Sequence, residues 1–193
     1  GEVQSIGLWR KLRKHPTRLL LGAFAGAILV GGILLTLPCS ASGDRIGFLD
    51  ALFTATSAVC VTGLTVCDTG KDYSTFGHAV ILLLIQLGGL GITTLSTALF
   101  LLFGQRASLS TRDVVEGSFL ARPTGRLKTL LAQIFVWTMA IEVIGAVMLL
   151  PAALRHRPMT EAVWSAVFHS VSAFCNAGFS LHSDNLMSAR SNT

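Results

Sequence analysis

Three long runs of apolar residues constrain this chain more than any other feature of its sequence. They cover residues 19–37, 79–103 and about 129–150, and only the third contains a charged residue. A helix of about 20 apolar residues crosses a hydrocarbon core of roughly 30 Å, so each run is long enough to span a membrane. Because hydrocarbon offers no partners to backbone amides, segments of this length must be helical. The sequence therefore predicts an all-α, multi-pass integral membrane protein; a cleaved signal peptide is the alternative for the first run.

Composition and charge agree with this class. Hydrophobic residues make up 51% of the chain and charged residues 13%, as is typical of membrane proteins. Five basic residues lie within 1–18 and five within 104–128, which predicts that both segments are cytoplasmic. The net charge of +5 is explained by this topology, and nothing indicates nucleic-acid binding. The intervening loop at 39–77 carries four aspartates against two basic residues, so an acidic outer face would concentrate cations there.

Two stretches of the chain are versions of one unit. Residues 53–66 read FTATSAVCVTGLTV and residues 168–181 read FHSVSAFCNAGFSL, with Phe, Ser, Ala, Cys and Gly at matching positions. They overlap two short apolar segments, 47–58 and 161–173. Segments of that length are too short to cross a bilayer and are typical of buried or re-entrant helices. The repeat predicts the same local structure twice, each time beside a membrane-spanning helix.

Each short helix is expected to give way to extended backbone. In the first copy Val59, Val61 and Thr62 disfavour further helix, and Gly63 permits a conformation that other residues resist. Non-helical backbone at membrane depth survives only when it is buried in protein or faces a water-filled path. Its carbonyls can replace the hydration shell of a small cation, as in backbone-lined potassium filters. We interpret the two loops as the lining of a cation pore; the alternative is that the glycines only terminate buried helices.

These residues resemble the TrkH/KtrB/HKT superfamily of potassium uptake proteins. The resemblance rests on ALFTATSAVCVTGL at 51–64, ILLLIQLGGLGITTL at 81–95 and SAFCNAGFS at 172–180, in that order. It implies four successive units around one pore, each with an outer helix, a re-entrant pore helix with its filter loop, and an inner helix. It also implies that the protein takes up potassium, or potassium and sodium, across the plasma membrane through a filter of backbone carbonyls.

By this resemblance the chain holds about one and a half of the four units. A basic cytoplasmic N-terminus at 1–18 precedes a first pore unit at 19–103, and a cytoplasmic connector at 104–128 precedes an incomplete second unit at 129–193. In the first unit we expect the outer helix at about 19–37, the pore helix at 47–58, the filter at 59–64 and the inner helix at 78–103. In the second we expect the outer helix at about 129–150, the pore helix at 161–173 and the filter at 174–179. Because the family needs four filter loops, we expect this chain to be the leading part of a longer protein.

The resemblance also assigns the candidate site. Gly63 and Gly178 would be the filter glycines, and the oxygens presented to the ion would come from Cys60, Val61 and Thr62 and from Cys175, Asn176 and Ala177. The expected ligand is a potassium ion, with sodium as the alternative, and no organic cofactor is expected. Expected partners are the lipid bilayer, a second copy of the full-length protein and a cytosolic nucleotide-binding regulatory subunit. The expected location is the bacterial inner membrane, with the N-terminus cytoplasmic.

Other classes of function remain as alternatives. An alternating-access carrier with internal repeats would place its sites at broken helices, and a non-conducting scaffold would carry no ion at all. No Ser/His/Asp order, phosphate-binding loop or metal-ligand spacing indicates an enzyme. Glu142, inside the third apolar run, is either a functional acid or a hydrogen-bonded clamp between helices. Cys39 and Cys67 both fall on the predicted outer side, and an oxidising compartment would allow a disulfide between them.

Overall fold

The computed structural model describes residues 16–43, 45–104, 123–155 and 157–182. Within these ranges the regular structure is helical, apart from one antiparallel bridge between Ala41 and Tyr73. The predicted all-helical class is confirmed for this part of the chain. A single turn of 3-10 helix, Pro38–Ser40, follows the first α-helix. The α-helices are α1 Pro16–Thr36, α2 Phe48–Val59, α3 Thr69–Asp72, α4 Thr75–Gly104, α5 Pro123–Leu154 and α6 Met159–Phe174.

The chain divides into two compact units. The first comprises Gly1–Gly88 and Ala177–Thr193, and the second comprises Gly89–Asn176. Helices α1, α4 and α5 cover the three apolar runs, while α2 and α6 lie where the sequence predicts short helices. Helix α5 continues through Pro151, which is inside the helix. The division of the chain into successive pore units stays a prediction.

Helix α2 turns a face of small residues toward the interior of the first unit. Ala51, Ala55 and Ala58 are fully buried, and their spacing of four and three residues places them on one side of the helix. A glycine of α1 allows the two helices to approach closely. A Cβ atom at Gly32 would lie 3.0 Å from Cδ1 of Leu52 and 3.3 Å from its Cα. Small residues at helix contacts are the usual means of close packing in a membrane, and Gly32 lets α1 approach the backbone of α2 in this way.

Hydrogen bonds tie the end of α1 to the start of α4. The amide of Ser74 donates to the carbonyl oxygen of Ser40 over 2.9 Å, and the amide of Ser42 donates to Asp72 over 2.9 Å. The hydroxyl of Ser74 donates to the carbonyl oxygen of Cys39 over 2.5 Å. These bonds satisfy backbone groups of an irregular segment, which would otherwise be costly to bury. They also fix the point at which α4 begins.

Polar contacts join α5 and α6 within the second unit. The hydroxyl of Ser170 donates to the backbone carbonyl oxygen of Glu142 over 2.6 Å. A Cβ atom at Gly145 would collide with the same hydroxyl, so the glycine provides the space in which this bond forms. Glu142 and Thr138 are each only 5% exposed. The acidic residue of the third apolar run is therefore buried against α6.

Helix α5 has the surface of a membrane-spanning helix. Its segment Ala132–Leu154 is 23 residues long, with a mean hydropathy of 2.0. In the part of the chain whose side chains the structure describes, it is the one helix long and apolar enough to cross a bilayer. The apolar parts of α1 and α4 within that description, Leu21–Thr36 and Thr75–Gly91, are shorter. An exposed apolar surface of this length suits contact with lipid. Its exposed large apolar residues include Val136, Trp137, Val143, Ile144, Val147 and Met148.

Candidate functional site

The first candidate loop, residues 60–65, begins with a capped helix end. Helix α2 ends at Val59, one residue beyond the predicted boundary, and Cys60 keeps a right-handed conformation (φ −83°, ψ −2°). The amide of Val61 donates to Ala58 over 3.2 Å, and the amide of Thr62 donates to Ser57 over 2.9 Å. These are the two bonds of a Schellman motif, which satisfies the last carbonyls of a helix.

Val61 occupies an unusual backbone conformation. Its φ is +57°, in the left-handed region where this position of a Schellman motif normally holds glycine. The sequence predicted extended backbone here, because β-branched residues disfavour further helix. The prediction is wrong at Val61. Left-handed backbone at a non-glycine residue costs about 1–3 kcal/mol and persists only when the surrounding structure imposes it. At Val61 the two capping bonds are that constraint.

The second candidate loop, residues 175–180, begins in the same way. Cys175 is right-handed (φ −73°, ψ −6°) and its amide donates to Val171 over 2.9 Å. Asn176 is left-handed, with φ +56°, and its amide donates to Ala173 over 3.0 Å. Asparagine tolerates this conformation better than valine does. The two loops thus share one backbone design although different side chains occupy the left-handed position.

Each loop has a second left-handed residue two positions later, and it is a glycine. Gly63 has φ +71° and Gly178 has φ +73°. Glycine adopts this conformation at little cost because it has no Cβ atom. Of the five residues that match between the two copies of the repeat, the glycine is therefore the one that the backbone conformation requires.

The capping bonds also fix the direction of the nearby carbonyls. In a trans peptide the C=O group and the N–H group that follows it point in opposite directions. The amides of Val61 and Thr62 point back toward α2, so the carbonyls of Cys60 and Val61 point beyond the end of that helix. By the same geometry the carbonyl of Cys175 points beyond the end of α6. The negative end of each helix dipole lies at the same place and favours a nearby cation.

The two loops meet at their glycines in the first unit. A Cβ atom at Gly63 would lie 2.5 Å from the carbonyl oxygen of Ala177 and 3.0 Å from the Cα of Gly178. A Cβ atom at Gly178 would lie 3.3 Å from the Cα of Gly63. The structure therefore brings three of the eight predicted site residues together, backbone against backbone. Side chains at the two glycines would separate the loops.

Adjacent glycines of α4 accommodate the helix and loop ends. Within the first unit, a Cβ atom at Gly88 would collide with the carbonyl oxygen of Val59. Within the second unit, a Cβ atom at Gly89 would lie 2.6 Å from Sγ of Cys175. The glycine pair of the LIQLGGLGI segment thus provides space for the end of α2 in the first unit and for Cys175 in the second.

Tyr73 braces α2, and sequence reasoning did not single it out. It is 1% exposed, and its hydroxyl donates to Oγ1 of Thr54 over 3.0 Å. The Thr54 hydroxyl in turn donates to the carbonyl oxygen of Asp50 over 2.9 Å. Burial raises the pKa of Tyr73 to about 12. One signal could have identified this residue, since it is the only tyrosine in the chain.

An open polar cavity of about 270 Å³ lies beside the two glycines. Gly63 and Gly178 both contribute to its wall, so it adjoins the place where the loops meet. It is formed entirely by residues of the first unit. The other lining residues include Thr65, Cys67, Asp68, Thr69, Ser180 and His182.

A family model for TrkH cation transport proteins matches residues 21–193 of the chain. The chain belongs to the TrkH family. This confirms the resemblance drawn from the three sequence motifs. It places the chain among membrane proteins of ion transport.

Relatives of this TrkH-family chain cover nearly all of it. Potassium/sodium uptake protein NtpJ of Enterococcus hirae is 39% identical over 186 residues, which are 95% of this chain and 41% of that protein. Ktr system potassium uptake protein B of Bacillus subtilis is 38% identical over 177 residues, or 92% and 40%. The protein of the same name from Vibrio alginolyticus is 41% identical over 184 residues, or 92% and 39%. The chain spans about two fifths of the length of these three relatives.

The remaining predicted features of this TrkH-family chain have definite places in the structure. Cys60, Thr62 and Asn176 are exposed, Val61 and Cys175 are half-buried, and Ala177 is fully buried. Cys39 and Cys67 are free thiols, so the disulfide considered for them is absent. In the described part of the chain, no three His, Cys, Asp or Glu side chains are grouped to hold a metal ion. The connector at 104–128 falls mainly outside the described residues.

Proposed function

We propose that this chain supplies two of the filter loops of a pore-forming subunit that takes up potassium, or potassium and sodium, across the plasma membrane. The single observation that carries the proposal is the repeated backbone at the ends of α2 and α6. In each loop a left-handed residue and a left-handed glycine follow a capped helix end. Membership in a family of cation transport proteins and the names of the relatives, which refer to potassium or sodium uptake, support the same conclusion.

Permeation in this proposal consists of dehydration by backbone oxygens. A cation that leaves water must exchange its hydration shell for ligands of similar strength, and carbonyl oxygens provide them. The proposed ligands are the carbonyls of Cys60, Val61 and Thr62 and those of Cys175, Asn176 and Ala177. Two loops supply half of the four-loop ring that the family fold implies. The other half would come from parts of the subunit beyond this chain.

The proposed ligands are main-chain atoms, so side-chain identity matters mainly through the backbone. Cysteine at positions 60 and 175 contributes a carbonyl as any residue would. Gly63 and Gly178 adopt conformations that other residues reach only at a cost. With one such glycine in each loop, we propose a filter that discriminates between potassium and sodium less strictly than filters with two glycines do.

The proposal extends to location and partners by the family resemblance. The protein would lie in the bacterial inner membrane with residues 1–18 in the cytoplasm. It would assemble as a homodimer of the full-length protein and bind a cytosolic nucleotide-binding regulatory subunit. The basic connector at 104–128 is the segment of this chain that would face such a subunit.

Ion selectivity tests the proposal. We would reconstitute the full-length protein in liposomes and measure potassium and sodium uptake for the wild type and for Gly63→Ser. The matched control is Gly43→Ala, because a Cβ atom at Gly43 meets nothing within 4 Å. We expect the variant to change the ratio of potassium to sodium uptake and the control to preserve it.

Two other outcomes would favour the alternative functions. An unchanged ratio together with slower saturable uptake would point to an alternating-access carrier, since its selectivity would not depend on this loop. An absence of cation uptake by the wild-type protein would point to a scaffold. Either result would overturn the filter proposal.

A further inference from the structure

The cavity beside Gly63 and Gly178 has the size of a hydrated ion. Its volume is about 270 Å³, and a water molecule occupies about 30 Å³ in the liquid. The cavity therefore accommodates roughly nine water volumes, enough for one small cation with its first hydration shell. Hydroxyls from Thr65, Thr69 and Ser180 are on residues that line it. Groups of this kind can hydrogen-bond to the water of a hydrated ion without removing it.

One carboxylate among the lining residues is held in place. Oδ1 of Asp68 accepts a hydrogen bond from the amide of Gly70 over 2.9 Å, and the amide of Asp68 donates to Oδ2 of Asp72 over 2.7 Å. The side chain of Asp68 keeps 30% of its surface exposed. Asp68 is thus both fixed in orientation and accessible from water.

The neighbouring cation only partly neutralises this carboxylate. Nζ of Lys71 lies 3.9 Å from Oδ2 of Asp68, and the lysine side chain is 70% exposed. Ion pairs as exposed as this are weak, because solvent screens them and the lysine loses side-chain entropy when it is held. The negative charge of Asp68 therefore still acts on an ion in the cavity.

Two further carboxylates act on a residue of the cavity wall. Burial, followed by the nearby carboxylates of Asp50 and Asp72, raises the pKa of the Cys67 thiol, and Cys67 lines the cavity. The part of this shift that comes from Asp50 and Asp72 reflects a negative potential, and a negative potential favours a cation at this wall. Because Gly63 and Gly178 form part of the same wall, an ion held here is directly beside the proposed filter.

We propose that this cavity is a loading site for one hydrated alkali cation outside the filter, with Asp68 as the carboxylate that attracts it. The inference rests on the proposed filter function and adds a step before it. The ion keeps its water in the cavity and loses it only in the loops. The site therefore raises the local cation concentration but does not distinguish potassium from sodium.

Asp68→Asn tests this site with little risk to folding, because asparagine caps a helix as well as aspartate does. We would measure the half-saturating concentrations for potassium and sodium uptake in proteoliposomes at low ionic strength. In a water-like dielectric, removal of a unit charge about 6 Å from the ion weakens ion binding about threefold, and the loss is larger at lower dielectric. We expect both half-saturating concentrations to rise by that factor or more, with their ratio unchanged and the effect reduced at high salt.

Two further variants separate this site from a structural effect. Lys71→Gln removes the opposing charge, so we expect it to lower both half-saturating concentrations. Glu161→Gln removes an exposed acid that does not line the cavity, and we expect it to leave them unchanged. A purely structural role for α3 would not produce opposite effects from Asp68 and Lys71.

The outcomes distinguish the two proposals. If the wild type conducts and Gly63→Ser alters its selectivity, but Asp68→Asn leaves half-saturation unchanged at low salt, only the loading site is wrong. A change in the potassium-to-sodium ratio with Asp68→Asn would also refute it, since that residue would then shape the filter. Absence of uptake by the wild type would overturn both proposals.

Discussion

Alanine at Gly63 should perturb the protein more than alanine at Gly178, although the repeat makes the two positions equivalent. Both residues are left-handed, with φ of +71° and +73°, so each substitution incurs about 1–2 kcal/mol for the backbone conformation. The steric surroundings differ. The new Cβ atom at Gly63 would lie 2.5 Å from the carbonyl oxygen of Ala177, whereas at Gly178 the nearest atom is 3.3 Å away.

The magnitude follows from the displacement that each substitution requires. Ordinary van der Waals contact begins at 3.4 Å, so Gly63→Ala must move the Ala177 carbonyl by about 0.9 Å, the difference between 3.4 and 2.5 Å. Overpacking of this kind costs about 1–3 kcal/mol, which gives a total of about 2–5 kcal/mol. Gly178→Ala requires a shift of about 0.1 Å, and its cost should remain near the 1–2 kcal/mol of the backbone.

Thermal unfolding in detergent and ion selectivity in proteoliposomes both test this ranking. We expect Gly63→Ala to lower the melting temperature more and to change the potassium-to-sodium uptake ratio more than Gly178→Ala does. Gly43→Ala controls for the loss of a glycine without a steric clash. Equal effects of the two loop substitutions, or a larger effect at Gly178, would refute the reasoning from the loop contact.

Three further predictions concern the surroundings of the loops. Tyr73→Phe should lower the free energy of unfolding by about 1 kcal/mol, because one hydrogen bond is lost while the Thr54 hydroxyl keeps its own acceptor. A double-mutant cycle with Thr54→Val measures the coupling between the two residues. Additive losses of stability would contradict this hydrogen bond. The pKa of Tyr73 is raised from 10 to about 12, so deprotonation of this residue should favour the unfolded state. The free energy of unfolding should be constant below pH 10 and fall by up to about 3 kcal/mol as the pH rises toward 12. Chemical denaturation across this range measures the loss, and Tyr73→Phe should not show it. Gly89→Ala should destabilise the protein by about 1–3 kcal/mol through overlap with the Cys175 thiol. Adding Cys175→Ala should restore part of the lost stability, because it removes Sγ at 2.6 Å and leaves Cβ at 3.1 Å. No recovery after the second change would exclude overlap with the thiol as the cause.

The local sequence was sufficient for the parts of the structure that depend on segment length and polarity. The apolar runs predicted where α1, α4 and α5 lie, because a helix in hydrocarbon must be long, uncharged and internally hydrogen-bonded. The repeated Phe, Ser, Ala, Cys and Gly pattern predicted that two loops share one design. Glycine was predicted to matter at positions 63 and 178, since it is the residue that adopts left-handed backbone most readily.

Residue propensity did not predict the backbone conformation of Val61. Its propensity favours extended backbone, and the sequence prediction followed that propensity. The structure holds it left-handed, because the amides of Val61 and Thr62 both bond to the last carbonyls of α2. Such a capping motif depends on several residues at once, so it overrides the preference of one side chain.

The sequence by itself determined the helical class, the positions of the long helices, the repeated loop and the family. Only the tertiary structure decided that Gly63 contacts Ala177 and Gly178, that Tyr73 braces Thr54, and that Asp68 lines a cavity beside the loops. These contacts join residues that are far apart in the chain. Helix periodicity and residue propensity describe neighbours along the chain, whereas contacts across it depend on how the helices and loops pack together.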